Sequence, residues 1–275
     1  MGHPAVEEFC PDVSMLRPRI TPCLLVKNGG LVKTINFGHP KYVGDPINAV
    51  KIFNEKEVDE IIVMDIGASV HQKEPDYALI RNLAAECRMP LCYGGGVKSV
   101  EQVEAIIGLG VEKVAISSAA MGNPELIAKA AAVVGSQSIV VVLDVKKAEA
   151  CEPYEVFIHN GTRGTGLNPV EFAKTAEQLG AGELVINSID CDGRMTGYDL
   201  QLVRMVREAS NLPMTVLGGA GSLKDIAALI EMFGTIGAAA GSLFVFKGRF
   251  RAVLINYPSR PERDALMPRA RWAVV

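Results

Sequence analysis

Asp144 closes the apolar run SIVVVLDV (138–145). If that run is a parallel strand, its last side chains face the open end of the sheet rather than the packed interior. A carboxyl there is placed to give or take a proton. Asp65 in EIIVMDI and Asp190 and Asp192 in SIDCDG also stand at run ends, where an Asp can equally cap the following turn. Glycines follow two other runs, Gly95 and Gly96 in YGGGV and Gly218 and Gly219 in LGGAG. Ser117-Ser118 and Gly241-Ser242 follow two more, and Gly193 follows Asp192. Backbone amides bared by such glycines beside a helix start can grip a phosphate. Turns need glycine for steric reasons alone, so the ligand reading rests on two related sets recurring together. Two grips suit a phosphorylated small molecule carrying a phosphate at each end.

The elements that must position these residues are legible as alternation. Eight short apolar runs, RITPCLLVK, EIIVMDI, MPLCYGG, VEKVAIS, SIVVVLDV, AGELVINSI, LPMTVLGG and TIGAAAGS, read as strands. Between them DPINAVKIFNEKEV, SVEQVEAIIGLG, NPELIAKAAAVVG, NPVEFAKTAEQLG and SLKDIAALIEMFG repeat apolar residues at helical spacing, several opening on Ser, Asp or Asn and ending at Gly. Strands joined by crossover helices form a parallel sheet, and eight of them predict an α/β fold, a (β/α)8 TIM barrel with its site at the strand C-termini. An open doubly wound sheet is the alternative. It concentrates its phosphate fingerprint after the first strand, whereas the glycine sets here follow several.

The strand-end motifs of the first half recur in order in the second, about 120 residues on. CLLVK answers VLDVK, VMDIGAS near Asp65 answers INSIDCDG near Asp190, GGG answers GGAG and ISSAA answers AGSLF. The barrel therefore reads as two fused half-barrels. In this repeat the counterpart of Asp144 is Leu25, a hydrocarbon where a second carboxylate is expected.

Composition bounds the rest. The 275 residues suit one barrel domain over 16–257, preceded by a 1–15 extension expected to be disordered and followed by an irregular tail over 258–275. A net charge of −3 gives no electrostatic reason to expect nucleic acid, and no window is apolar enough for a membrane span, so a cytoplasmic protein is expected. Cys10, Cys23, Cys87, Cys92, Cys151 and Cys191 form no C-x-x-C pair and read as reduced and structural. His3, His39, His71 and His159 have no metal-ligand spacing, and neither metal nor cofactor is expected.

From about Arg17 to Tyr257, through KNGGLVKTINF, GDPINAV, DEIIVMDI, YGGGV, EKVAISSAA, SQSIVVVLDVKK, GTGLNPVEFA, GAGELVINSIDCDG, GYD, LGGAG and GSLFVF, the chain resembles the cyclase subunit of imidazole glycerol phosphate synthase. The resemblance implies that Asp144 is one of two catalytic aspartates and that Leu25 stands in place of the other. It implies that Lys33 lies on a flexible loop after the first strand, with Asn28 where an aspartate is usual. It also implies a glutaminase partner, forming a heterodimer, and an ammonia gate of Arg19, Glu60, Lys113 and Glu183 at the barrel floor. The L-L-V-K motif, with GDPINAV and IFNEKEVDE, is similar to a branch whose barrel and glutaminase supply ammonia to a third, sugar-amidating protein. That branch makes acetamidino sugars of bacterial surface polysaccharide (O-antigen). An active histidine-pathway cyclase (lyase) is the first alternative and a half-barrel phosphosugar isomerase the second.

Overall fold

The computed structural model describes residues 17–148 and 154–267. The N-terminal extension with Cys10, the segment holding Cys151, and the end of the tail lie outside the described residues. All eight expected runs are strands: β1 (Arg19–Lys27), β2 (Ile61–Asp65), β3 (Leu91–Gly94), β4 (Lys113–Ile116), β5 (Ile139–Lys147), β6 (Glu183–Ser188), β7 (Met214–Leu217) and β8 (Gly237–Ala240). They pair in parallel in chain order, and β8 returns to β1 through Arg19↔Gly237, which closes the barrel. Closure leaves the barrel no edge strand.

Crossover helices follow from their sequences. Pro46–Glu55 starts on Asp45, whose side chain accepts from the Asn48 amide, with Pro46 where a missing N–H costs nothing. Asn168 and Pro169 do the same for Pro169–Gln178, and Ser222 with Asp225 forms a capping box for Leu223–Phe233. Tyr77–Glu86, Val100–Gly108, Glu125–Val134 and Leu200–Ala209 complete the alternation. Strand side chains split between two cores. Ile20, Leu24 and Val26 pack outward beneath the helices, while Cys23 joins Ile62, Cys92, Val140, Val142 and Ala239 inside the barrel.

Two readings need correction. The segment after β1, expected to be a flexible loop, is a hairpin of Gly30–Ile35 and Gly38–Gly44. Lys27 pairs with Gly30 across Asn28 and Gly29, both in the left-handed region, so Asn-Gly here is a two-residue turn. Lys33 is therefore a strand residue. The tail expected to be irregular contains the helix Arg260–Leu266, opened by a capping box of Ser259 and Glu262. Just before it, the buried Tyr257 donates its hydroxyl hydrogen to the Ile20 carbonyl at 2.7 Å, and the Arg263 guanidinium lies over its ring.

Candidate active site

At the C-terminal ends of the strands a single pocket encloses about 1220 Å³ including its open mouth. It is lined by Leu25, Lys33, Asp65, Gly95, Gly96, Ser117, Ser118, Asp144, Asp192, Gly193, Gly218, Gly219, Gly241 and Ser242. The strand-end residues singled out in the sequence are thus brought together, except Asp190, which lies aside and accepts from the Lys147 amide at 2.8 Å. Asp65 is partly spent as a cap, its Oδ1 accepting from the amides of Gly67 and Ala68. Asp192 accepts from the Thr34 hydroxyl at 2.7 Å and the Phe37 amide at 3.1 Å, fastening the hairpin over the mouth.

The two glycine turns are equivalent in space. Gly95 has φ +123°, and a Cβ there would meet the Asp65 carbonyl oxygen at 2.5 Å; Gly218 has φ +91° and would meet that of Ser188 at 2.6 Å. Packing requires glycine at both, whatever they bind. The environments also show that Ser188, not Asp190, is the structural counterpart of Asp65. Beside these turns the short helices Ser118–Gly122 and Ser242–Val245 begin without a side-chain cap at the N-terminus. Their first amides are free to meet an anion at the mouth. The Lys33 ammonium lies against Gly241 and donates to the Cys23 carbonyl at 2.7 Å. Burial lowers its pKa, against the opposing pull of Cys23 and Asp192. A buried cation beside a glycine turn favours an anionic group there.

Asp144 is half-buried among these groups, and desolvation there raises its carboxyl pKa to about 7; the hydrogen bond from Asn187 opposes the rise and the charge of Asp192 adds to it. The Asn187 amide nitrogen donates to Asp144 Oδ1 at 2.8 Å. Asn187 was not recognised in the sequence. Its signal is the register, because Asp144 pairs with Asn187 just as Leu25 pairs with Met64 in the first half. One side of the upper barrel therefore offers a hydrogen-bonded carboxyl and amide, and the other a hydrocarbon and a thioether. The carboxyl is half-titrated near neutrality, which suits proton transfer in either direction.

Arg19, Glu60, Lys113 and Glu183 line no part of the pocket and meet at the opposite, N-terminal end. Arg19 reaches Glu60 at 2.8 Å and Glu183 at 2.6 Å, and Lys113 reaches the same two at 2.6 and 2.8 Å, through different carboxylate oxygens. Thr215 adds a hydroxyl bond to Glu183 at 2.6 Å. Burial alone would push the Glu183 carboxyl up, but Arg19 and Lys113 together hold it below the usual range. The ring is closed, neutral and directly beneath the apolar barrel interior. There the Cys23 thiol, pushed up to about 11 by burial, is unreactive. Among the described residues no cluster of potential metal ligands occurs, and no helix is long and apolar enough to cross a membrane.

Comparison with known proteins agrees with this geometry. Residues 19–251 match the family model described as histidine biosynthesis protein. A Leptospira interrogans protein provisionally named imidazole glycerol phosphate synthase subunit HisF is 56% identical over 252 residues, covering 92% of this chain and 99% of its own. A Pseudomonas aeruginosa protein provisionally named subunit hisF2 is 51% identical over 250 residues, 91% of this chain and 99% of its own. A Lactococcus lactis protein named imidazole glycerol phosphate synthase subunit HisF is 44% identical over 230 residues, 84% of this chain and 89% of its own. With the closed barrel, the pocket at its strand ends and these matches along nearly its whole described length, the chain belongs to the histidine biosynthesis protein family, on the side of the HisF-type cyclase subunits of imidazole glycerol phosphate synthase.

Proposed function

We propose that this protein is the barrel subunit of a glutamine amidotransferase. It pairs with a glutaminase at its N-terminal face, admits ammonia through the Arg19–Glu60–Lys113–Glu183 ring and passes it up the barrel toward the mouth. Two buried glutamates in a barrel floor are costly unless fully paired, and here each carboxylate oxygen meets a cation. The observation that carries the finer reading is the asymmetry above: Leu25 faces the pocket where the repeat calls for the partner of Asp144. Leucine cannot shuttle a proton, and ring closure by acid/base catalysis calls for a donor and an acceptor together. The ammonia then serves acetamidino-sugar formation in surface-polysaccharide biosynthesis, carried out by a third protein.

A second reading is the histidine-pathway cyclase itself. The names of the relatives favour it, as does the near-neutral Asp144 carboxyl, which is able both to give and to take a proton. Ammonia-dependent turnover of the phosphoribulosyl-formimino ribotide substrate by the purified protein and by Leu25→Asp separates the two. The first reading expects no turnover by the natural protein and measurable turnover by the variant. Turnover by the natural protein overturns that reading in favour of the cyclase.

A further inference from the structure

Exposed large apolar side chains gather on one side of the barrel mouth. Tyr42, 67% exposed, and Ile35 stand out from the hairpin after β1, and Val70 from the turns after β2. Phe250, 92% exposed, stands out with Val253 and Leu254 from the segment after β8. Strands β8, β1 and β2 are consecutive in the barrel, so these segments are neighbours. Gly193 lies against Thr34 and Ile35, and its carbonyl accepts from Arg251, the residue after Phe250, at 3.0 Å. The other exposed large apolar residues among those described, Ile52, Val133 and Met232, sit singly on separate helices.

The segments after β1 and β8 carry cations only, while the segment after β2 adds Lys73 together with Glu74 and Asp76. Residues 27–44 carry Lys27 and Lys41 outside the buried Lys33 and no acid, and residues 241–254 carry Lys247, Arg249 and Arg251 and no acid, in a chain whose net charge is −3. A nearly uncovered phenylalanine between two arginines is an unusual thing to leave in water, and contiguous exposed apolar surface marks an interaction site. The apolar residues come from three separate segments, wider than one small ligand would need. The cations call for an acidic counterpart.

We propose that the β8–β1–β2 side of the mouth docks a second protein, acidic around an apolar socket that takes Phe250, and that this partner receives what leaves the barrel. Its identity as receiver rests on the amidotransferase reading; the surface itself does not. The floor ring and this rim lie at opposite ends of the barrel, so a glutaminase and a receiver bind together without competing.

The test places a benzophenone side chain at Phe250 or Tyr42 in the full chain, with Val133 as an outer-helix control and Arg88, near the floor, as the glutaminase reporter. Cross-linked products are identified after irradiation in cells. The expected result is one acidic polypeptide captured at both Phe250 and Tyr42 and not at Val133. Purified, that polypeptide should bind about tenfold or more weakly to Phe250→Ser and to Arg249→Glu, and more weakly at high salt. Capture of nothing at the mouth, of lipid or nucleotide alone, or of a protein whose binding ignores both variants overturns the docking surface. A glutaminase at Arg88 with no protein at the mouth removes the surface and leaves the amidotransferase reading standing. An acidic partner at the mouth with no glutaminase at the floor does the reverse. Phe250 and Arg249 both lie exposed on the surface, so their replacement leaves the fold intact.

Discussion

Asp144 shows how burial turns an ordinary carboxyl into a group poised at neutral pH. Its pKa is about 7 in the folded protein, against 3.8 without the fold. The native state therefore holds a proton that the unfolded chain has already released between those values. Stability from this group is fully present below about pH 4 and is lost as pH rises through about 7. Asp144→Asn, which keeps shape and polarity, is expected to stabilise the protein at pH 8 by an amount bounded at about 4 kcal/mol, and to do so much less at pH 4 to 5. Urea unfolding at the two pH values measures it, and an equal effect at both would refute a raised pKa. At the same scale, Leu25→Asp places a second carboxyl across the pocket, and its turnover of the ribotide substrate is the functional readout described above.

The floor ring is a property of strand starts. Each of β1, β4 and β6 brings one charge, and Glu60 immediately precedes β2. Strand alternation points all four to the axis, so none has solvent as its main partner. Lys113→Ala leaves Glu60 and Glu183 sharing only Arg19, and a loss of about 3 kcal/mol is expected. Adding Glu183→Gln to that variant should recover part of the loss, because one unpaired charge is removed. Chemical denaturation of the single and double variants measures this, and a strictly additive further loss would show that the ring does not act as a unit. Glutamine-supported ammonia transfer should fall in the same single variant; unimpaired transfer would count against the channel. The C-terminal element reaches this end too. Tyr257→Phe removes the bond to the Ile20 carbonyl and should cost about 1 kcal/mol, with packing of the ring kept.

The whole molecule joins two like halves. The junction runs through β4 and β5, where Val114 faces Ile139, and through β8 and β1, where Arg19 faces Gly237. Separating the chain after Gly135 would leave each half with two unpaired strand edges and an uncovered barrel interior. Co-expressed, residues 1–135 and 136–275 should therefore assemble into one equimolar complex, while either alone should self-associate. Size-exclusion chromatography with circular dichroism tests this, and two stable monomeric halves would refute it. The halves are alike in backbone but not in chemistry, since the first supplies Leu25 and Met64 at the mouth and the second Asp144 and Asn187.

The sequence by itself determined the strands, the crossover helices with their caps, the closed parallel barrel and the residues at its mouth. These follow from local periodicity, turn chemistry and an internal repeat, all written along the chain. It determined equally that Leu25 breaks the repeat. Only the tertiary structure decided what depends on residues far apart in sequence. Asn187 became Asp144's partner because β5 and β6 lie side by side in a particular register. Asp190 was excluded and Ser188 became the counterpart of Asp65 because a shift of two residues along a turn is invisible to motif matching. Lys33 moved from a loop to a buried strand position because the hairpin folds over the mouth and Asp192 fastens it. The apolar, cationic side of the mouth is likewise absent from any single motif, since it exists only where the segments after β8, β1 and β2 meet.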